Sequence, residues 1–292
     1  MPEAYRISGH TRLISLLGNP TSHSMSPATH NLSFELLGVD AVYLCFDVEP
    51  EDLGTIISAL KAMDSWDGSN VTMPCKQEVI QYLDGLDDAA ELMGAVNVVK
   101  YTDGKTVGYN TDGLGFVNNL RKHGVNPEGK RMVLLGPGGA GSAILVQSAL
   151  EGASKIDVFA RAGGKSYTQA QGLIERVVAK TGCEIELHDI NDTDALAACI
   201  NAADILTNAT SVGMGDGCAD TPVSPDLIKP GMVVADAIYH PRETQLIQDA
   251  KDKDCITVPG LGMMIEQAAA GEKIWYDVQM PIEEIERQLF SD

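Results

Sequence analysis

The sequence predicts an α/β protein of two domains, and three observations carry that prediction. The chain has 292 residues, about twice the length expected of one domain. Short apolar runs alternate with longer segments of helical spacing, which is the pattern of parallel-sheet α/β architecture. At 132–150 one such alternation runs from an apolar strand through a glycine-rich loop into a helix.

In chain order, residues 13–17, 41–46, 68–72 and 95–99 read as strands, with helices between them. The first helix is well marked. Ser26 is placed to cap it, Pro27 suits its first turn, Phe34, Leu36 and Leu37 supply apolar positions, and Gly38 ends it. Residues 110–121 have helical spacing at Leu114, Val117 and Leu120 and are placed to bridge the domains. Residues 122–130, polar and punctuated by Gly124, Pro127 and Gly129, read as a connector. A second series of strands and helices begins at Met132, and 262–277 and 281–290 read as closing helices. No internal repeat or low-complexity tract is present.

Charge and composition exclude several functions. A formal net charge of -20 repels nucleic acid and anionic lipid, which are bound chiefly through Lys and Arg. An anionic ligand therefore needs a locally positive site, such as a helix N-terminus or a well-placed Lys or Arg. Apolar residues make up 44% of the chain, yet no uninterrupted apolar run approaches the roughly 18 to 20 residues that cross a bilayer. The start, Met1 to Arg6, has neither the basic opening nor the apolar middle of a secretory signal, so the expected location is the cytoplasm. The six cysteines form no C-x-x-C pair and the six histidines show no metal-ligand spacing. Reduced thiols and no bound metal are expected.

The loop Gly136-Pro137-Gly138-Gly139-Ala140-Gly141 fits G-x-G-x-x-G directly after the strand 132–135 and ahead of the helix-like 142–150. Glycines at these positions permit a tight turn, let the backbone approach a pyrophosphate, and allow close packing of helix on strand. The helix N-terminus then offers free amides and a positive dipole to the phosphates. A second strand, 156–160, ends in Ala160-Arg161-Ala162-Gly163-Gly164-Lys165. No acid stands there to bind an NAD ribose, whereas Arg161 and Lys165 are placed to meet a 2'-phosphate. NADP is the expected cofactor, with NAD second.

A nicotinamide enzyme acting on an alcohol also needs a group that exchanges the hydroxyl proton. In Asn70-Val71-Thr72-Met73-Pro74-Cys75-Lys76, Pro74 predicts a helix start. Lys76 then lies in the first turn, where the dipole disfavours its charge. Asp112 supplies an acid to pair with it, although an Asp at a helix start also serves as a cap. Ser24 and Ser26 offer hydroxyls to a carboxylate, although the capping role alone accounts for Ser26.

Taken together these segments resemble one family. Gly18-Asn19-Pro20, His23-Ser24-Met25-Ser26-Pro27, His30-Asn31, the Asn70 to Lys76 segment, Gly94-Ala95-Val96-Asn97 and Gly108-Tyr109-Asn110-Thr111-Asp112-Gly113 look like the shikimate dehydrogenase family in its order. The glycine loop, Asn208-Ala209-Thr210-Ser211-Val212-Gly213-Met214, Asp236 to Pro241, and Gly262-Met263 with Gln267 continue the resemblance over nearly the whole chain.

The resemblance implies a reversible, nicotinamide-linked interconversion of shikimate and 3-dehydroshikimate within aromatic amino acid biosynthesis, with quinate an alternative substrate. It implies Lys76 as general acid and base, oriented by Asp112. Ser24, Ser26 and Tyr239 would meet the carboxylate; Asn70, Thr72, Asn97 and Gln267 would meet the ring hydroxyls or order the pocket. The cofactor would be held by Gly136, Gly138, Gly139, Ala140, Gly141, Arg161, Lys165, Asn208, Thr210 and Gly262, with Met263 a packing neighbour. The implied organisation is a substrate domain of 1–111 and 260–292, completed by the C-terminal helices, around a Rossmann-like nucleotide domain of 112–259.

Two departures from the family pattern matter. Ala160-Arg161-Ala162 stands where NADP-preferring members carry Asn-Arg-Thr, which removes two polar contacts. Cys75 follows Pro74 beside Lys76, with no sign of a nucleophilic role. The competing readings are a ligand-sensing protein of the same fold that does not turn over its ligand, and a folate-type dehydrogenase, which leaves Ser24 and Ser26 unexplained. The partners expected are small molecules alone. The oligomeric state is left open, a homodimer included.

Overall fold

A computed structural model describes residues 7–290, so the run Met1 to Arg6 lies outside the described residues. The chain divides into two compact units, one holding the chain up to Thr111 together with Ala268 onward, the other Asp112–Gln267.

The first unit is built on β1 (Arg12–Gly18), α1 (Ser26–Leu37), β2 (Ala41–Asp47), α2 (Leu53–Lys61), β3 (Trp66–Val71), β4 (Gly85–Leu86), α3 (Asp88–Met93), β5 (Val98–Thr102) and β6 (Lys105–Tyr109). Its sheet runs β2-β1-β3-β5-β6-β4. The β1 strand is parallel to β2 and β3, whereas β5 is antiparallel to both β3 and β6. Apolar side chains pack on both faces, as buried parallel strands require: Leu17, Leu53, Ile57, Trp66 and Val71 in one cluster, Ile14, Leu16, Phe34, Tyr43, Val98 and Trp275 in another. Trp275 reaches the sheet because Gly68 has no side chain; a Cβ there would lie 2.7 Å from its Nε1. That indole N–H donates to Val99 O at 3.0 Å, and the Tyr276 hydroxyl donates to Asp67 at 3.0 Å.

Within this unit the structure departs from the sequence reading at three places. The strand expected at 95–99 begins at Val98; ahead of it, Val96 N–H bonds to Lys76 O and Asn97 N–H to Tyr109 O. It then turns back as an antiparallel hairpin at Asp103-Gly104, both at positive φ (52° and 77°), the residue pair that a two-residue loop favours. Ser26 does not cap α1. Met25 occupies that position without a side-chain bond, Ser26 is the first helical residue, and Ser24 Oγ accepts the Ser26 N–H at 3.2 Å. No α-helix starts at Pro74 either. Cys75 N–H turns back to Thr72 O, Val96 N–H takes the Lys76 carbonyl at 2.8 Å, and only a 3₁₀ turn forms, at Glu78–Tyr82. With its carbonyl bonded to Val96, outside any helical turn, Lys76 does not lie in a first helical turn, and the dipole argument for it falls away.

The second unit begins with α4 (Asp112–Lys122), which lies wholly inside it rather than bridging. Then come β7 (Arg131–Leu135), α5 (Gly139–Leu150), β8 (Lys155–Ala160), α6 (Lys165–Thr181), β9 (Glu184–Asp189), α7 (Thr193–Ala202), β10 (Ile205–Asn208), β11 (Val233–Asp236), α8 (Gln245–Lys251) and β12 (Ile256–Val258). Next, α9 (Gly260–Tyr276) runs on across the division between units, and α10 (Ile282–Leu289) closes the described chain. All pairings in the second sheet are parallel, in the order β12-β11-β10-β7-β8-β9. Counted from β7 as the first strand and read from the β9 edge, this is the doubly wound order 3-2-1-4-5-6, with its switch point between β7 and β10. Val133, Leu135, Phe159, Leu206, Val234 and Leu246 form the core of one face.

Candidate active site

At the end of β7 the three motif glycines show three different needs. Gly136 has φ +85°, and a Cβ there would lie 2.6 Å from Thr210 Cγ2; a Cβ on Gly141 would lie 1.9 Å from Gly136 O. Gly138, which takes the N-cap position of α5, has nothing within 4 Å of a built Cβ. Turn, helix packing and open approach are thus divided among first, third and second glycine, as a pyrophosphate cradle demands. The helix starts at Gly139, three residues before the sequence reading placed it, so the exposed amides of Gly139 and Ala140 belong to its first turn. They are the donors that an anion at a helix N-terminus uses.

Beyond β8, Arg161 and Lys165 are exposed, and Gly164 precedes α6. Asp189, at the end of β9, accepts the Ala162 N–H at 3.2 Å and the Asn191 N–H at 3.2 Å. Those bonds hold its carboxyl below the usual range.

Across the switch point, Asn208 is buried at the end of β10 and ties its own loop together. Its Oδ1 accepts from Thr210 N–H at 3.0 Å and from the Thr210 hydroxyl at 2.7 Å, while Nδ2 donates to Val212 O at 3.2 Å and Asp236 Oδ1 at 3.1 Å. Asp236 also accepts Ile238 N–H at 3.0 Å and, on Oδ2, the Thr244 hydroxyl at 2.7 Å. Tyr239 stands exposed on the loop that Asp236 begins. Gly262 lies in α9 against α4, where a Cβ would sit 2.1 Å from Asn119 Oδ1. A Cβ on Gly115 of α4 would likewise lie 2.7 Å from Gln267 Cβ and 2.6 Å from the carbonyl of Met263, whose side chain is buried.

In the first unit, a chain of buried polar groups joins several predicted residues. The Tyr43 hydroxyl donates to Asn70 Oδ1 at 2.7 Å, and Asn70 Nδ2 donates to Asn97 O at 2.9 Å. Asn97 then receives Thr111 N–H at 2.8 Å and donates to Thr111 Oγ1 at 3.0 Å. Burial holds the Tyr43 phenol well above its usual range, an effect opposed by its hydrogen bond with Ser26. Ser24 joins through the Ser26 amide, and Thr72 stands just past β3, its amide donating to Leu17 O at 2.9 Å. Lys76 is half-buried on the neighbouring turn, and Asp112 opens α4 in the other unit.

Sequence reasoning gave Tyr43 no role, and Asp236 entered it only as the start of the Asp236 to Pro241 segment. Tyr43 passed for one more apolar strand residue. Its seat is nevertheless specific: the Asn31 amide clasps its backbone by two bonds of 2.8 and 3.0 Å, and His30 stacks on its ring at 4.6 Å. His30 is fixed in turn by Glu272 at 2.8 Å, which also accepts from Ser33 at 2.6 Å, all of them buried. Asp236 carried a visible signal, a lone acid ending the buried run Val233-Val234-Ala235. The six cysteines are free, and burial keeps the Cys75 thiol above its usual range beside Val48 O, which suits a structural thiol rather than a nucleophile. One cluster, Asp157, His188 and Cys199, brings ligand-type atoms within 4.8 Å of one another although their spacing in sequence gives no hint of it. The Lys155 ammonium already stands 3.7 Å from Asp157 there.

Among the described residues no helix is long and apolar enough to cross a membrane. Residues 16–99 match the family described as the shikimate dehydrogenase substrate binding domain. The chain is 43% identical over 281 residues to a shikimate dehydrogenase (NADP(+)) of Lactococcus lactis subsp. cremoris, covering 96% of this chain and 97% of that one. A crystal structure of shikimate 5-dehydrogenase from Listeria monocytogenes, in complex with shikimate and NAD, superposes with a TM-score of 0.94 at 41% identity, over 98% of this chain and 99% of that one. Quinate dehydrogenase from Corynebacterium glutamicum, in complex with NAD, gives 0.84 at 28% identity, over 95% and 98%.

Proposed function

Because this chain belongs to the shikimate dehydrogenase family, we propose that it is an oxidoreductase that interconverts shikimate and 3-dehydroshikimate with NADP(H), and with NAD(H) as the second cofactor. The observation that carries this reading is the glycine loop at the switch point of a 3-2-1-4-5-6 sheet, with each glycine in the geometry that its role requires. A bound nicotinamide supplies or accepts the hydride.

The protein's own groups handle the proton and the substrate. Lys76 donates a proton to the ketone oxygen during reduction and takes the hydroxyl proton during oxidation, with Asp112 orienting it. Ser24, Ser26 and Tyr239 receive the carboxylate. Asn70, Thr72, Asn97 and Gln267 receive the ring hydroxyls, and the buried bonds joining Tyr43, Asn70, Asn97 and Thr111 give that side fixed rotamers before substrate arrives. Gly136, Gly138, Gly139, Ala140 and Gly141 hold the pyrophosphate, Arg161 and Lys165 meet the 2'-phosphate, and Asn208, Thr210 and Gly262 border the nicotinamide. We place the enzyme in the cytoplasm; sedimentation of the purified protein tests for a homodimer.

Absorbance of the reduced nicotinamide, followed with shikimate and quinate against NADP and NAD, tests the proposal. The highest kcat/KM is expected for shikimate with NADP. No turnover in any of the four combinations would leave the ligand-sensing alternative. Quinate is the second substrate reading, favoured by the likeness to the quinate dehydrogenase, and a higher kcat/KM with quinate would select it.

A further inference from the structure

We propose that Asp236 is a positioning residue for nucleotide binding, holding the loops after β10 and β11 in one arrangement while it is ionised and releasing them when it takes a proton. The assignment rests on the proposed nucleotide site and adds to it a residue that touches neither cofactor nor substrate.

The geometry is that of a single carboxylate serving two loops. On one side Asn208 Nδ2 reaches Asp236 Oδ1 at 3.1 Å, and Asn208 Oδ1 in turn fixes the Thr210 amide and hydroxyl. Thr210 packs where Gly136 has no side chain, so the position of this loop bears directly on the glycine loop. On the other side Oδ1 accepts the Ile238 N–H, which sets the path of the chain into Tyr239, and Oδ2 accepts from Thr244 at the start of α8. All three partners donate, and an ionised carboxylate accepts them without bringing a donor of its own. A protonated Asp236 brings a fourth donor to a buried place already supplied with three, so at least one bond must be given up or reversed.

The groups facing Asp236 are neutral: Asn208 from β10, the Ile238 amide from its own loop and Thr244 from α8. Neither β10 nor β12 carries a titratable side chain. On the Asp236 loop His240 is exposed and pairs with Asp216, Glu243 pairs with Lys251, and Arg242 is exposed. On the loop after β10, Asp216 and Asp220 are exposed. Among the described residues no cation faces the carboxylate to offset its burial, which raises it from 3.8 to about 6. Protonation therefore falls within a range that binding measurements reach.

The test is nucleotide affinity, read by fluorescence of NADH and NADPH between pH 5.5 and 8, for the wild type and Asp236→Asn. At pH 7.5 the variant is expected to bind about tenfold more weakly, the scale of one charge-assisted hydrogen bond. Wild-type affinity should weaken as pH falls through about 6, and the variant should lose that dependence. NADH is the cleaner probe, because a 2'-phosphate titrates in the same range. Wild-type affinity in Asp236→Asn, or an unchanged pH slope, would overturn the assignment. Should that variant fail to fold, Thr244→Val is expected to weaken binding and Thr244→Ser to restore it; equal affinities in these two would count against it as firmly. A wild type that binds nucleotide but turns over no substrate would sink the proposed reaction and leave the assignment to stand or fall on affinity.

Discussion

The proposed nucleotide side and the proposed substrate side of this protein are built by different means. On the nucleotide side, six consecutive residues, Gly136 to Gly141, carry most of the geometry, and what matters is the absence of atoms: two glycines stand where a methyl group would collide with backbone or Thr210. On the substrate side what matters is the presence of polar partners brought from afar. Tyr43, Asn70, Asn97 and Thr111 come from four separate stretches of chain and are joined by buried hydrogen bonds. A site made by exclusion should fail abruptly to one added carbon. A site made by a network should lose affinity by steps.

The largest effect expected concerns the chemistry that both sides serve. Lys76→Ala should lower kcat by about 10² to 10⁴, the usual contribution of a general acid or base, with substrate KM changed much less. Turnover at the wild-type rate would remove Lys76 from that role.

Next comes the contrast inside the glycine loop. Gly141→Ala places a Cβ at 1.9 Å from Gly136 O and should cost about 3 kcal/mol, the upper end of overpacking penalties, seen as a fall in Tm without any ligand. Gly138→Ala has open space around it and should leave Tm within a degree or two of wild type, on the scale of roughly 0.5 kcal/mol or less, while raising cofactor KM. Equal losses of stability in the two variants would erase the distinction between packing and approach.

On the network side, Tyr43→Phe removes the donor to Asn70 and leaves a buried acceptor unpaired. About 1 to 2 kcal/mol of stability should be lost in chemical denaturation, together with a several-fold rise in substrate KM and little change in cofactor KM. A change in cofactor KM alone would mean that the network serves the wrong ligand. The smallest effect is expected at the exposed Arg161. Arg161→Ala should lower the ratio of kcat/KM for NADP over NAD by about twofold to fivefold, since an exposed charge contact contributes about 1 kcal/mol or less. An unchanged ratio would assign 2'-phosphate selection elsewhere in the loop.

The same contrast explains what the sequence made legible. The glycine loop is a local device: strand, turn and helix start lie within twenty residues, so spacing alone points to it. Its surrounding sheet follows from alternating elements. Ser26 shows the opposite case. As a capping residue it looks sufficient, but Met25 takes the cap and Ser24 Oγ accepts the Ser26 amide, which leaves the Ser26 hydroxyl without a capping task. The neighbours of Lys76 in sequence point to it, yet the helix that would disfavour its charge is prevented by the Val96 bond. Only a partner twenty residues later in the chain decides that point. The hairpin at Asp103-Gly104 was locally readable and was passed over. The seat of Tyr43 was not readable, because Glu272 lies 242 residues from the His30 that it holds.

The glycines of α4 bear on the order in which the molecule assembles. Gly113 lies against Ala143 O of α5 and Gly115 against Met263 O of α9, and each lowers the intrinsic stability of the helix by about 1 kcal/mol relative to alanine. A segment so poor in local propensity gains its helical form from its neighbours rather than lending it to them. The stretch opened by Asp112, the proposed partner of Lys76, is thus expected to form late. Its amides should gain hydrogen-exchange protection only after those of β7 and α5, and should be among the first to lose it when the nucleotide unit loosens.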